Sequence, residues 1–260
     1  MFDFSARTVL VTGSTANLGY SIARAFARSG ARVVVHGPND RETDQAAARL
    51  KEEVPTALVE AISFDLGQQT QIDEAFVTLE KRGLLPDILI NNAAHLGLGK
   101  SGFLEQTPDF FREVIEVNLF GTFRCSQLSA QGMAKRGGGA IITISSLAGE
   151  RAIWSRSGYN TSKAALDGLM RSMALDLAPH GIRVNSISPG YVWTPRWNAL
   201  SPDVIERRKH NIPAGEPTRQ DEIARTVLFL ASDAAPSLTG AGIIIDGGLS
   251  VQQVPKDLSI

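Results

Sequence analysis

Two side chains with acid–base potential, Tyr159 and Lys163, stand four residues apart in a segment that opens Ser157-Gly158. If that segment is helical, both side chains project from one face. A free tyrosine titrates near about pH 10, and an ammonium beside it favours the phenolate. Ser146, thirteen residues upstream, supplies a hydroxyl that could hold the substrate oxygen whose proton Tyr159 handles. Many helices carry such a pair by chance, so its weight depends on the motifs upstream.

A glycine-rich turn at residues 9–19 follows a predicted strand and opens a predicted helix. Gly13 lets the chain turn sharply, and Gly19 lets the helix pack closely on the strand. The first N–H groups of the helix and its positive end would then face a pyrophosphate. This context favours nucleotide binding over the alternative, a purely structural turn.

The residues after the second and third predicted strands bear on the adenosine half of a dinucleotide. Gly37 takes the position where a carboxylate would accept a hydrogen bond from the ribose 2′-hydroxyl. Arg41 is near enough to reach a 2′-phosphate, although it could equally be a solvated helix residue. NADP(H) is therefore favoured over NAD(H). Asp65 either accepts from the adenine amino group or caps the next helix. We interpret His36 as a packed strand-end residue.

Two asparagines, Asn91 and Asn118, lie at positions where an amide side chain is unusual. Asn91 ends the fourth predicted strand, where it either contacts a ligand or serves as a buried amide that ties neighbouring strands. Asn118 lies inside a helical pattern, in which asparagine competes with the helical hydrogen bonds. It marks either a bend that exposes a carbonyl or a side-chain cap.

Composition sets limits on the class of protein. A chain of 260 residues suits one domain with a sizeable core. Its formal charge of -1 gives no general attraction to nucleic acid or to an anionic membrane. No apolar run is long enough to span a membrane, and the start does not read as a signal peptide. A lone cysteine, Cys125, forms no intrachain disulfide or zinc site and is expected to be buried. We expect a cytoplasmic protein without a metal.

Continuous Val/Ile/Leu strands alternate with helix-period segments along the whole chain, which predicts an α/β fold with a parallel sheet covered on both faces. Strands are predicted at 8–11, 32–35, 57–64, 88–90, 140–145, 183–187 and 242–245. Helices are predicted at 18–29, 41–53, 69–81, 109–116, 119–135, from about 157, and at 221–232. Residues 191–213 are predicted to be irregular.

Taken together, these segments resemble the short-chain dehydrogenase/reductase family of the compact type, over nearly the whole chain. The matching motifs are Thr12-Gly13-x-x-x-Asn17-x-Gly19, Asn91-Asn92-Ala93, Asn118, Ser146, Tyr159-x-x-x-Lys163 and Ser188-Pro189-Gly190-x-x-x-Thr194. Two positions depart from the family pattern, because Asn17 and Ala94 stand where the family has glycine. Asparagine tolerates positive φ, so Asn17 could keep the turn, while the Ala94 methyl narrows the floor of the site.

The resemblance implies a single doubly wound, three-layer Rossmann-like domain over residues 1–260, with about seven parallel strands. It implies hydride transfer between NAD(P) and the carbonyl or alcohol carbon of a small substrate. Tyr159 would be the general acid or base, and Ser146 would orient the carbonyl. Lys163 would lower the pKa of Tyr159 and hold the nicotinamide ribose, while Asn118 would place a water in a proton relay. The implied cofactor-binding residues are Gly13, Ser14, Thr15, Asn17, Leu18, Gly19, Gly37, Arg41, Asp65, Leu66, Asn92, Ala93, Tyr159, Lys163, Pro189, Gly190, Val192 and Thr194.

In the family, the segment 191–213 is a mobile lid over substrate and cofactor, and Trp193 and Trp197 suit such a cover. Trp154 could form another wall of the site. The alternative is that these tryptophans pack in a subunit contact. The substrate stays open among 3-oxoacyl compounds, sugars or polyols, and other ketones or secondary alcohols. Helices at 119–135 and 164–177 carry more than one apolar stripe, and with the tail 251–260 they predict a homotetramer, or a homodimer.

Three other functions agree less well with these residues. A non-catalytic nucleotide-binding regulator would not need Ser146, Tyr159 and Lys163 together. An epimerase or dehydratase of the family's longer branch would need an additional domain. An enoyl reductase would be suggested by a tyrosine and lysine six or seven residues apart, so the spacing of four favours C–O over C=C chemistry.

Overall fold

Seven parallel strands form one sheet in the order β3-β2-β1-β4-β5-β6-β7. The computed structural model describes residues 2–99, 102–254 and 256. The strands are β1 (Thr8–Val11), β2 (Arg32–Gly37), β3 (Leu58–Ser63), β4 (Ile88–Asn91), β5 (Gly139–Ile144), β6 (Ile182–Pro189) and β7 (Gly242–Ile245). Every ladder between neighbouring strands is parallel. The predicted α/β fold with seven strands is confirmed.

Eight α-helices connect and cover the strands. They are α1 (Asn17–Arg28), α2 (Asp40–Glu53), α3 (Gln69–Lys81), α4 (Pro108–Ile115), α5 (Gly121–Lys135), α6 (Ser157–Leu177), α7 (Pro202–His210) and α8 (Gln220–Ala231). Side chains of α1, α2 and α8 pack into one core cluster, and those of α3, α5 and α6 pack into another. The chain therefore forms a three-layer, doubly wound α/β domain.

Side-chain alternation along β1 shows why the sheet needs both layers. Val9 and Val11 belong to the cluster under α1, α2 and α8, whereas Leu10 between them belongs to the cluster under α3, α5 and α6. All three are fully buried, so the strand carries apolar residues on both faces. Cys125 of α5 is buried as predicted, and burial raises the pKa of its thiol.

The segment 191–213 is more regular than its sequence pattern indicates. Pro195–Ala199 forms a 3₁₀ turn and Pro202–His210 forms the helix α7. The expectation of an irregular segment is therefore wrong for this part. Pro202 stands in the first turn of α7, where its missing N–H is not needed, and four basic residues occupy the last turn. These signals of a helix start and end are present, although an apolar stripe is absent from this short helix.

Residues Glu116–Phe120 form a π-helical turn between α4 and α5, and Asn118 lies within it. The π-turn is the bend that the sequence predicts at Asn118, because such turns interrupt the regular hydrogen bonds of a helix. No helix within the described ranges is long and apolar enough to cross a membrane. Within the same ranges, no cluster of three or more His, Cys, Asp or Glu residues could hold a metal ion.

Candidate active site

The candidate site is a groove of about 510 Å³ at the carboxyl ends of the strands. There β1 pairs with β2 on one side and with β4 on the other, so the chain crosses the sheet in opposite directions from β1. Ligands of open parallel sheets bind in the crevice that this reversal of strand order creates. Most residues predicted to bind a nucleotide line this groove, among them Gly13, Thr15, Asn17, Leu18, Gly19, Asp65, Leu66, Asn92, Ala93 and Thr194.

The turn from β1 into α1 has the backbone that a close approach to phosphate requires. Gly13 has φ +62°, and a Cβ there would lie 2.8 Å from the Cα of Ala93. Asn17 has φ +48°, so it adopts the left-handed conformation expected of it. Ala16, at the N-cap of α1, provides no side-chain acceptor for the first N–H groups of the helix. Those N–H groups and the positive helix end fit a pyrophosphate.

Gly19 marks the closest packing in the site. A Cβ at this position would lie 2.2 Å from the carbonyl oxygen of Gly13 and 2.5 Å from Nδ2 of Asn92. That same Nδ2 donates to the carbonyl oxygens of Thr12 at 3.0 Å and Gly13 at 3.1 Å. Asn92 thus fixes the turn from the neighbouring strand.

Ser14 and His36 secure the turn from within the protein. Ser14 is fully buried; its hydroxyl donates to the carbonyl of Val11 at 2.7 Å and accepts from the N–H of His36. The Ser14 hydroxyl therefore faces inward, and the prediction that Ser14 binds the cofactor stays a prediction. His36 Nδ1 accepts from the N–H of Gly13 at 3.0 Å, so Nε2 carries the proton and donates to the carbonyl of Phe64. Burial lowers the pKa of His36 to about 4 and keeps the ring neutral.

At the adenosine end of the groove, close packing leaves room only for a glycine at position 37. A Cβ there would lie 2.5 Å from the Thr15 methyl and 2.6 Å from the Thr43 hydroxyl. Arg41 is exposed on α2 and does not line the groove. Asp65 lines the groove, and its Oδ1 accepts from the N–H of Gly67 at 2.8 Å. It does not cap α3, whose N-cap is Gln68, so that alternative is excluded.

Tyr159 lies in the first turn of α6 and is almost completely buried. Burial raises the pKa of its phenol, while a side-chain hydrogen bond with Ser146 and the positive charges of Arg156 and Arg196 lower it. The Ser146 hydroxyl also accepts from the N–H of Ala148 at 3.1 Å, which fixes its position after β5. The Ser146 hydroxyl is therefore held in place by the backbone and acts on the Tyr159 phenol.

Lys163 lies one turn beyond Tyr159 on α6, with its Nζ 5.6 Å from the centroid of the Tyr159 ring. Its side chain is buried, and Nζ donates to the carbonyl of Ile144 at 2.8 Å. Burial lowers the pKa of Lys163 to about 8, against an opposing effect of Asp167. An ammonium with one carbonyl acceptor retains two further N–H donors.

Asn118 connects the π-turn to two other elements of the site. Its Oδ1 accepts from the N–H of His95 at 2.7 Å, and its Nδ2 donates to the His95 carbonyl and to the Ser162 hydroxyl, both at 2.9 Å. Asn91 is buried as well, but its Nδ2 donates to Ser126 on α5. It therefore ties the strand to a helix, and not to a neighbouring strand as one of the two alternatives for Asn91 had it.

The segment after β6 closes the other side of the groove. Pro189 ends β6, and a Cβ on Gly190 would lie 2.7 Å from the Cβ of Asp246. Val192 forms an isolated bridge with Thr218. Trp197 is buried, with its ring centroid 5.2 Å from that of Trp193. Trp154 is 94% exposed and lines a separate cavity beside the groove.

Sequence reasoning did not identify three residues that the structure brings to the site. The sequence predicts that His36 only packs, yet it accepts a hydrogen bond from the turn after β1. Arg156 and Arg196 received no role, yet both charges act on Tyr159. Arg156 stands three residues before Tyr159, and Arg196 lies two residues after Thr194. Their closeness to predicted site residues is the one signal that the sequence carries.

Comparison with known proteins agrees with this geometry. The family model described as Enoyl-(Acyl carrier protein) reductase matches residues 13–250. The chain is 34% identical over 242 residues to the 3alpha-hydroxysteroid dehydrogenase of Mediterraneibacter gnavus, covering 93% of this chain and 96% of the relative.

Two solved structures are similar over nearly all of both chains. One is a gluconate 5-dehydrogenase from Burkholderia cenocepacia in complex with NADP and tartrate, with a TM-score of 0.89 and 31% identity, covering 96% of this chain and 98% of the other. The other is a 7α-hydroxysteroid dehydrogenase complexed with NADH and 7-oxo glycochenodeoxycholic acid, with a TM-score of 0.85 and 34% identity, covering 95% of each chain.

Proposed function

Because the chain belongs to the short-chain dehydrogenase/reductase family, we propose that Tyr159 is the acid–base group of its reaction. The chain is an NAD(P)-dependent oxidoreductase that transfers a hydride between the nicotinamide and the carbonyl or alcohol carbon of a small substrate. The observation that carries the proposal is the buried Tyr159 phenol with the Ser146 hydroxyl acting on it and Lys163 one turn along the same helix, packed against Leu96 of the groove that the glycine-rich turn lines. A non-catalytic regulator is not favoured, since these relatives are named as dehydrogenases and reductases.

Tyr159 donates a proton to the carbonyl oxygen in reduction and removes it from the hydroxyl in oxidation. Ser146 donates a hydrogen bond to the same oxygen, so the negative charge that develops there lies between two hydroxyls. A buried phenol with a raised pKa is a reluctant base. A nearby cation therefore assists the oxidative direction most.

Lys163 supplies that cation and holds the nicotinamide ribose with the N–H donors that Ile144 leaves open. Asn118 acts as a positioning residue through the π-turn. Its side chain fixes the loop at His95 and bonds to Ser162, whose hydroxyl donates to the Tyr159 carbonyl at 2.8 Å. A water held at the Asn118 backbone would complete a proton relay behind Lys163.

The residues of the groove fit a dinucleotide. The turn at Gly13 and the uncapped start of α1 suit its pyrophosphate, and the open oxygen of Asp65 suits the adenine amino group. We propose that NADP(H) is preferred over NAD(H). Gly37 offers no carboxylate to the 2′-hydroxyl, and the packing against Thr15 and Thr43 leaves no room for one. Arg41 forms no hydrogen bond or ion pair with the residues that the structure describes.

A fluorescence titration with NADPH and NADH tests the cofactor proposal. The wild-type protein is expected to bind NADPH about ten times more tightly, since one charge-assisted contact contributes about 1.5–3 kcal/mol. Arg41→Ala should remove most of that difference and leave NADH binding unchanged. Arg28→Ala, on an exposed arginine at the far end of α1, serves as the control. Equal affinities in the wild type would contradict the NADP preference.

The segment 191–213 is proposed to cover the substrate, with Trp193 half-exposed toward it and Trp197 anchoring it through a hydrogen bond to Val192 at 2.9 Å. Sugars or polyols and steroid-like ketones are both proposed as substrate classes, because similar proteins are named for them. A cytoplasmic location is proposed, in keeping with a single buried thiol.

A homotetramer is proposed as the working form, supported by apolar side chains that remain exposed on α5, on α6 and on the π-turn that precedes α5. Phe120 and Phe123 are 55% and 42% exposed, and Leu175 of α6 is 77% exposed. Of the tail 251–260, residues 255 and 257–260 lie outside the described ranges, so no contact is assigned to it.

Light scattering after size-exclusion chromatography tests this assembly. The wild-type protein is expected at four times the chain mass. Phe123→Glu with Leu175→Glu should give a smaller species, because a charge buried in an apolar contact is costly. Lys51→Glu, on the exposed last turn of α2, should leave the mass unchanged. A monomeric wild type would contradict the proposal.

A further inference from the structure

Two arginines near Tyr159, Arg156 and Arg196, have no part in the proposed hydride transfer. Arg196 lines the groove on the side of Thr194. Arg156 lines the neighbouring cavity of about 500 Å³, together with Ser157 and Asn160. The charges of both act on the Tyr159 phenol. Each of the two cavities therefore contains one arginine.

Neither guanidinium group forms an ion pair or a hydrogen bond with another residue in the described ranges. Several other arginines are paired with carboxylates, as Arg124 is with Asp73 at 2.6 Å and Arg136 with Asp87 at 3.0 Å. A guanidinium in a pocket without a carboxylate partner is suited to bind an anion, since its fork of donors matches carboxylate geometry.

The backbone that carries Arg196 is held in place by aromatic packing. Trp197, the next residue, is buried against Trp193 at 5.2 Å and against Tyr191 at 6.1 Å between ring centroids. Arg208 of α7 lies 5.3 Å from the Tyr191 ring and 5.5 Å from the Trp197 ring. This arrangement fixes the start of the Arg196 side chain before any ligand arrives, which reduces the entropic cost of binding.

Arg156 is half-buried and occupies the N-cap of α6. No side chain caps this 21-residue helix, so its positive end faces the same region as the guanidinium. The helix terminus adds to the field of Arg156 and, like it, favours a negative group close to Tyr159.

We propose that the natural substrate is an anion, a ketone or secondary alcohol that also carries a carboxylate, and that Arg156 and Arg196 bind this carboxylate. The inference rests on the proposed function and specifies its substrate class. Tyr159 and Ser146 hold the reacting oxygen, while the two arginines fix the other end of the molecule. They are thus specificity-determining residues.

Matched pairs of carbonyl compounds test the inference. One pair is 5-keto-d-gluconate and l-sorbose, which differ by a carboxylate in place of a hydroxymethyl group. The other is 4-acetylbenzoate and acetophenone, included because Phe103, Ile153 and Trp154 also line the Arg156 cavity. The wild-type enzyme with NADPH is expected to prefer the acid, in kcat/KM, in at least one pair.

Arg156→Ala and Arg196→Ala should each reduce that preference on the order of 10- to 100-fold, the size of one lost charge-assisted hydrogen bond. Arg28→Ala is the control and should keep the wild-type ratio. If no compound is turned over, the same pairs are titrated by calorimetry against the enzyme with NADP⁺ bound. The same selective loss of acid binding is expected there.

The outcomes separate the two proposals. Unchanged acid-to-neutral ratios together with weaker NADPH binding in Arg196→Ala would assign that arginine to the cofactor and overturn the inference. A wild type that binds NADPH but prefers neutral compounds in both assays would overturn the inference alone. Failure to bind either nicotinamide cofactor would refute the proposed function, and the inference with it.

Discussion

Tyr159→Phe is expected to lose about 10²- to 10⁴-fold in kcat, the usual contribution of a positioned proton donor. The substitution removes only the phenol hydroxyl, because phenylalanine fills the same buried space. The dissociation constant for NADPH should stay within a few-fold of the wild-type value. Steady-state kinetics and a fluorescence titration on the same preparation measure both quantities.

Tyr20→Phe is the matched control for this substitution. The Tyr20 hydroxyl bonds to Glu53 of α2 at 2.9 Å, on the outer side of α1, so its loss should leave kcat within a few-fold. Substantial residual turnover by Tyr159→Phe would refute the assignment of Tyr159 as acid and base. Equal losses in kcat and in cofactor affinity would indicate a disturbed fold instead.

Lys163→Met is expected to weaken both turnover and cofactor affinity, each by about 10-fold or more, because the ammonium is proposed to serve the phenol and the ribose together. Methionine fills a similar volume without the charge or the N–H donors. Lys51→Met, on the exposed face of α2, is the control. Unchanged cofactor binding in Lys163→Met would remove the proposed ribose contact.

The difference in free energy of unfolding between the wild type and Lys163→Met is expected to depend on pH. The pKa of Lys163 is about 8 in the folded protein and about 10.4 in an unfolded chain. Between these values the unfolded state binds more protons, so the free energy of unfolding of the wild type rises with pH. Relative to Lys163→Met, the gain should be on the order of 3 kcal/mol from about pH 8 to about pH 10.5. Urea unfolding at these pH values measures it, and a flat difference would mean that the lysine titrates normally.

The strands and the main chemical motifs were predictable because local pattern determines them. The bounds of β1, α3 and β7 agree with the predicted ranges, since continuous apolar runs and helix-period stripes leave little choice. Asn17 was expected to adopt positive φ, and it does. Motif order then placed the predicted residues along one edge of the sheet, as parallel strands require.

Other features depend on contacts that no local pattern contains. The bonds from the His36 N–H to the Ser14 hydroxyl and from the Gly13 N–H to the His36 ring join the turn after β1 to β2. The helix α7 has terminal signals but no apolar stripe, so its pattern resembles a loop. Asp65 is a residue type that often caps helices, yet Gln68 is the N-cap of α3, and only the path of the chain decides between them.

The close contacts around Gly13 limit how this protein can be redesigned. A Cβ at Gly13 would meet Ala93, and a Cβ at Gly19 would meet both Gly13 and Asn92. Residues 13–19 and 92–93 are therefore a single steric unit, although 73 positions separate them in the chain. Grafting a phosphate turn from a relative to change cofactor use would fail if only the first segment were exchanged. The two segments need to be transplanted as a pair, and recombination libraries should keep them on one parental fragment.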